Sequence, residues 1–267
     1  MRYYIFVDID WTLLDNNTNS IPASAAEAIS LAKRNGHKIF LCTGRSLPSV
    51  TENFLQLDID GIVAACGGHI IIDGKQEYFC PMPEYLLKAI VEYFINNDVG
   101  FMLEGKKENY LYCANDISEK EKEMNEFLFT DGRIVPFINF QGNYQDILKL
   151  SFFTLKKEAV DRLMDRLDVQ LHALYDDWYP GICTGEITYA RYTKASGIDF
   201  IISRDNHPLQ KVLAIGDSMN DYEMIVHAGI GVAIGNAHPK LKEVADYVTD
   251  AVDADGLYNC FKKYGLI

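Results

Sequence analysis

Short runs of apolar residues, each ending in a polar turn and followed by a segment of helical length, recur at both ends of the chain. No other feature restricts its architecture as much. Tyr3–Val7 is apolar almost throughout, as expected of a strand covered on both faces. Pro22–Asn35 has a helical period, with Ala25, Ala28, Ile29 and Ala32 on one stripe, proline in the first turn and Gly36 at the stop. Lys38–Cys42 and Gly61–Ala65 read as further strands. Ile70–Ile72 and Glu77–Phe79 flank Asp73-Gly74, a dipeptide suited to a tight hairpin. From about Thr193 the pattern returns: a helix to Ser203, a strand Val212–Ile215, a helix over Met219–Ala228 and a strand Gly231–Ile234. The alternation predicts βαβ units on a mostly parallel sheet, an α/β core.

The middle of the chain reads differently. After the prolines of Cys80-Pro81-Met82-Pro83 come a helix over Glu84–Asn97, strands at Phe101–Glu104 and Asn109–Cys113, and a charged helix over Ser118–Phe129. A strand at Leu148–Thr154, a helix at Lys156–Leu167 and a strand at Val169–Leu174 follow. Helices mixed with neighbouring strand pairs predict an α+β unit with an antiparallel sheet. Residues 1–81 and 187–267 are therefore expected to form one interrupted core, with 82–186 inserted into it.

Composition narrows the partners. The 267 residues, 48% hydrophobic, suffice for a substantial core. With 25 basic and 38 acidic side chains the net charge is −13, which argues against nucleic acid or an anionic membrane as partner, since both need clustered Lys and Arg. No apolar run approaches the ~18 residues of a spanning helix, and Met1–Tyr4 leads directly into a strand without a leader pattern. Cysteines 42, 66, 80, 113, 183 and 260 form no C-x-x-C pair, so they read as reduced thiols of a cytoplasmic protein. The histidines show no ligand spacing, and no feature sets an oligomeric state.

Chemistry-bearing residues gather where strands end. Asp8-Ile9-Asp10-Trp11-Thr12 follows the first strand directly, and in open parallel sheets ligands bind beyond the carboxyl ends of strands. Two carboxylates held together there need a cation between them or a retained proton; as a bland alternative they cap the turn. The second strand runs into Thr43-Gly44-Arg45-Ser46, a hydroxyl and a glycine able to donate to an anion or simply to cap a helix. The strand at Val212–Ile215 runs into Gly216-Asp217-Ser218-Met219-Asn220-Asp221. Oxygen ligands without His or Cys point to Mg²⁺ rather than zinc.

Asp8–Thr12, Thr43-Gly44-Arg45, Lys194 within Tyr192–Gly197, and Gly216–Asp221, in this order, resemble the haloacid-dehalogenase-like (HAD) hydrolase superfamily. Asn236-Ala237 and the tail Asp253–Leu257 are similar to its Cof-type sugar phosphatase branch. Thr43 and Lys194 stand 151 residues apart, room for a C2-type cap, whereas the 35 residues from Asp8 to Thr43 leave none for an earlier one. The resemblance implies a Rossmann-like parallel-sheet core with an inserted α+β cap, and a Mg²⁺-dependent phosphatase acting on small phosphorylated metabolites, sugar phosphates above all. It implies Asp8 as nucleophile and Asp10 as acid and base. Thr43, Gly44, Lys194 and Asn220 would hold the phosphoryl group, and Asp8, the Asp10 carbonyl and Asp217 the metal. Asp221 would steady Lys194 or the metal's waters.

Two departures bear on substrate choice. Trp11 stands where the family most often has glycine; the indole would narrow the cleft near the leaving group, or pack under the cap. Cys66-Gly67-Gly68-His69 replaces a common Asn-Gly pair, making Gly68 a second candidate for leaving-group selection. A phosphomutase of the same superfamily, or a non-catalytic binding protein on this fold, would share most of these residues.

Overall fold

The computed structural model describes residues 2–115, 118–129, 134–166, 171–176 and 181–267. The chain runs β1 (Tyr4–Val7), α1 (Ala23–Arg34), β2 (Lys38–Cys42), α2 (Glu52–Leu55), β3 (Gly61–Ala64), β4 (His69–Ile72) and β5 (Lys75–Phe79). It continues through α3 (Glu84–Asn96), β6 (Gly100–Gly105), β7 (Asn109–Tyr112), α4 (Glu119–Phe129), β8 (Ile134–Pro136), β9 (Ile147–Thr154), α5 (Lys157–Met164), β10 (Leu171–Asp176) and β11 (Cys183–Tyr189). The last part is α6 (Lys194–Asp205), β12 (Val212–Gly216), α7 (Tyr222–His227), β13 (Ile230–Ala233), α8 (Pro239–Val244), β14 (Tyr247–Val248) and α9 (Gly256–Lys263).

The chain divides into two compact units: Met1–Arg45, Val50–Phe79 and Tyr192–Ile267 in the first, Ser46–Ser49 and Cys80–Arg191 in the second. The boundary expected at 186/187 falls inside β11, a strand the sequence pattern did not single out, and the first unit resumes only at Tyr192. The short excursion Ser46–Ser49 was also not foreseen. It belongs to the second unit because Ser46 Oγ donates to Asn109 Oδ1 at 2.9 Å, and Asn109 Nδ2 donates to Ser49 Oγ at 2.8 Å. The ends expected at Leu167 and Val169 lie outside the described residues.

In the first unit an eight-stranded sheet has the order β14-β13-β12-β1-β2-β3-β4-β5. The pairs from β14 to β3 are parallel, and β3-β4-β5 is antiparallel through the Asp73-Gly74 hairpin. Helix α1 buries Ala25, Ala28, Ile29 and Ala32 and places Lys33 and Arg34 in its last turn, where cations favour the dipole. Gly36, at φ +85°, turns the chain into β2. One face of the sheet packs Phe6, Phe40, Val63 and Ala214 against Ile198, Ile201 and Met224. Strand β1 lies between β12 and β2, so the strand order reverses beside it, and the crevice of the switch point opens at its carboxyl end.

The second unit holds a six-stranded sheet, β10-β11-β9-β6-β7-β8, antiparallel but for the β7–β8 pair. Phe94 of α3 packs with Phe101 and Phe152 of the sheet, and Val160 of α5 joins the same cluster. No helix of the described residues is long and apolar enough to cross a membrane.

Candidate active site

The three central strands each end in a residue of interest. Val7 pairs with Ile215 on one side and Leu41 on the other. Asp8, Thr43 and Asp217 therefore follow three adjacent strand ends, and Asp8 N–H still donates to Ile215 O at 3.0 Å.

Lys194 reaches the same place from α6. Thr193 caps that helix with Ser196 in a reciprocal pair, each side chain bonded to the other's backbone N–H, which fixes Lys194 as the first helical residue. Gly67, at φ +104°, packs against this cap so closely that a Cβ would stand 2.3 Å from Thr193 O. A cation at a helix N-terminus opposes the dipole, and here three acceptors outweigh that. Nζ donates to Asp8 Oδ1 at 2.7 Å, Asn220 Oδ1 at 2.9 Å and Asp221 Oδ1 at 2.5 Å. Lys194 is 1% exposed, so the solvated side chain usual near a helix start is excluded.

The loop after β12 is built around Asp221. Its Oδ2 accepts the N–H groups of Asp217 at 2.9 Å and Ser218 at 3.1 Å. Gly216 permits this, since a Cβ there would meet Asp221 Oδ2 at 2.5 Å. Ser218 Oγ donates to Asn220 Oδ1 at 3.0 Å. Asn220 Nδ2 is left without a protein partner among the described residues.

Charge is concentrated here. Burial raises the Asp8 carboxyl above its ordinary value, and Asp221 adds to it against the opposing pull of Lys194. Asp217 is raised by burial and by the charge of Asp8. Lys194 loses hydration, but the charges of Asp221 and Asp8 outweigh that and hold it well above the usual lysine range. Oxygens of Asp8, Asp217 and Asp221 lie within 4.8 Å of one another. Such a set suits a hard divalent cation. Asp221 already has both oxygens engaged by Lys194 and two amides, while among the described residues the Asp217 carboxylate receives only Thr12 Oγ1 at 3.3 Å. Asp8 and Asp217 are therefore the carboxylates better placed for a cation.

Asp10 behaves differently. Burial would raise its carboxyl, but the hydrogen bonds and charge of Arg45 and the Asn16 amide outweigh it and hold Asp10 below the ordinary range. Thr43 is buried, and its Oγ1 accepts the Arg45 N–H at 3.1 Å, which leaves its own hydrogen to donate. Gly44 follows it, half-buried.

Trp11 occupies the left-handed region at φ 55°, strained for a bulky residue. Two side chains clamp it: Trp11 N–H donates to Asn16 Oδ1 and Asn236 Nδ2 donates to Trp11 O, both at 2.8 Å. The residue is 37% exposed. Gly68 is buried and its N–H is committed to Ala65 O at 3.1 Å, within a turn where Ala65 and Cys66 are also left-handed. Thr12, Asn16 and Arg45 were not singled out as site residues from the sequence. Thr12 and Arg45 lie within the motifs; Asn16 carries no sequence signal.

The sequence profile of the haloacid dehalogenase-like hydrolases matches residues 5–261. "Putative phosphatase YkrA" of Bacillus subtilis (strain 168) is 30% identical, over 98% of both chains. Among solved structures, the HAD subclass IIB sugar phosphatase BT4131 superposes with a TM-score of 0.83 at 28% identity, covering 99% of this chain and 100% of the other. The HAD phosphatase BT1666 of Bacteroides thetaiotaomicron gives 0.84 at 27% identity, covering 100% and 96%. The chain thus belongs to the haloacid dehalogenase-like hydrolases and is a phosphatase of that superfamily.

Proposed function

We propose that this phosphatase is Mg²⁺-dependent and hydrolyses small phosphomonoesters of polyhydroxylated compounds, sugar phosphates first, through an aspartyl-phosphate on Asp8. The observation that carries the reading is the buried cluster in which Lys194 bonds Asp8, Asn220 and Asp221 beside Asp217.

Asp8 attacks phosphorus in line as the ester oxygen leaves, and water then splits the acyl phosphate. Lys194 favours the charged form of Asp8 against burial and, with the Thr43 hydroxyl, the Gly44 amide and Asn220 Nδ2, receives the charge that spreads over the phosphoryl oxygens. Asp10 gives a proton to the leaving oxygen and takes one from the attacking water. Asp8, the Asp10 carbonyl and Asp217 would hold Mg²⁺, which neutralises phosphoryl charge when bound. Asp221, through Lys194 and two amides, keeps this frame in place. Trp11, rather than the buried Gly68, is the residue for leaving-group selection.

Relatives support the substrate class. The solved structure above is named a sugar phosphatase. YitU of Bacillus subtilis (strain 168), 25% identical over 98% of this chain, is named a 5-amino-6-(5-phospho-D-ribitylamino)uracil phosphatase. Both names describe a phosphate on a hydroxyl-bearing carbon chain.

Phosphate release from a panel of sugar, polyol and nucleotide monoesters tests the proposal. Turnover with Mg²⁺, lost in EDTA and in Asp8→Asn, is expected. Activity that survives Asp8→Asn overturns the nucleophile. A hexose 1-phosphate converted to its 6-phosphate without free phosphate makes the protein a mutase.

A further inference from the structure

We infer that Arg45 is a positioning residue for Asp10, which it holds so that one carboxylate oxygen, Oδ2, faces the proton exchange with the leaving group. The inference rests on the reading of Asp10 as acid and base. Arg45 Nε donates to Asp10 Oδ2 at 2.9 Å and Nη2 donates to Oδ1 at 2.6 Å, a planar fork gripping both oxygens. Asn16 Nδ2 adds a second bond to Oδ1 at 3.0 Å. The other end of that amide takes the Trp11 N–H, so it cannot flip without losing both contacts. The guanidinium is in turn backed by the ring of Phe54, 5.4 Å from its centroid.

These contacts fix the plane of the carboxylate from two directions. They also make its oxygens unequal. Among the described residues Oδ1 accepts two hydrogen bonds and Oδ2 one, so the open lone pair is on Oδ2. As the Asp8 oxygen bonds to phosphorus and the ester bond breaks, the proton that Asp10 takes up on the free lone pair of Oδ2, against the pull of Arg45, passes to the departing oxygen. In the second half Oδ2 takes a proton from the attacking water, whose oxygen bonds to phosphorus as the acyl phosphate opens. A carboxylate free to turn would present Oδ2 only part of the time, and misplacement by an ångström can cost ~100-fold. Lysine would supply the charge of Arg45 without the fork.

The test compares an alkyl phosphate, whose leaving oxygen needs a proton, with p-nitrophenyl phosphate, whose leaving group does not. In single turnover, where leaving-group release alone is read, Arg45→Lys is expected to lose roughly 10- to 100-fold on the alkyl ester and little on the aryl ester. Added guanidinium should restore part of the alkyl activity of Arg45→Ala. Thermal melts of both variants report whether the fold is kept. Equal losses on the two esters, or no rescue, overturn the inference. Asp10→Asn runs beside them. If it slows leaving-group release from both esters equally, the acid reading of Asp10 is at fault. If it is selective and Arg45→Lys is not, only the positioning role falls.

Discussion

Lys194 Nζ stands 2.5 Å from Asp221 Oδ1, with both side chains enclosed, and the same nitrogen bonds Asp8 at 2.7 Å. Removing the cation would leave two buried carboxylates facing each other. Lys194→Met is therefore expected to destabilise the protein by about 3–5 kcal/mol, read from urea unfolding, and to cut phosphate release by roughly 100-fold or more. Full stability in this variant would mean that the ammonium does not hold the loop of Asp221.

The raised carboxyls of Asp8 and Asp217 give a pH signature. Each is lifted above 3.8 in the fold, so the folded protein binds more protons than the unfolded one. Their contribution to stability is complete below about pH 4 and is lost as pH rises through the raised values. A bound cation reverses this by favouring the ionised pair, and protons compete with it at low pH. The increase in Tm on replacing EDTA with Mg²⁺ should therefore grow between pH 5 and pH 8, and Asp217→Asn should shrink it. An increment that stays constant with pH would exclude these carboxylates as the metal site.

A second buried charge cluster lies in the inserted unit. Lys149 of β9 reaches Glu104 Oε1 of β6 at 3.3 Å and also bonds Glu186 of β11, while Ser151 Oγ donates to Glu104 Oε1 at 2.5 Å. Lys149 and Glu104 are each 4% exposed. Lys149→Ala should cost about 3–5 kcal/mol by leaving both carboxylates without their cation. The double change Lys149→Met with Glu104→Gln should recover much of that loss, because only one charge then remains. Urea melts of the two variants decide it, and equal losses would mean that packing, not charge, sets the cost.

The sequence made the core legible because its strands are short apolar runs and its chemistry follows them directly. The rule that ligands bind at strand ends marks Asp8, Thr43 and Asp217 as candidates, and the resemblance alone gives them roles. Lys194 was legible only through the resemblance, since one lysine at a helix start has no signal until the fold brings Asp8 and Asp221 to it. Arg45 and Asn16 were missed for the same reason: their partner Asp10 is fixed by tertiary packing, and spacing does not encode it. Strand β11 was missed because Cys183–Tyr189 mixes Thr, Gly and Glu with few apolar residues. Its pairing with β9 and β10 on both sides makes it a strand.

Trp11 gives the last prediction. At φ 55° its backbone conformation costs roughly 1–2 kcal/mol for an L-residue with a side chain, while glycine adopts it freely. Trp11→Gly relieves that strain, and the bonds to Asn16 and Asn236 involve only backbone atoms of Trp11, so they can persist. Glycine also adds freedom to the unfolded chain, which offsets part of the gain. Stability should therefore change by no more than about 1 kcal/mol. Activity should change in kind: with the half-exposed indole beside Asp10 gone, bulkier leaving groups should gain in kcat/KM relative to small ones. A panel of phosphate esters measured on both proteins tests this. An unchanged ranking would show that the indole takes no part in choosing the leaving group, and that its strained backbone has no role in selection.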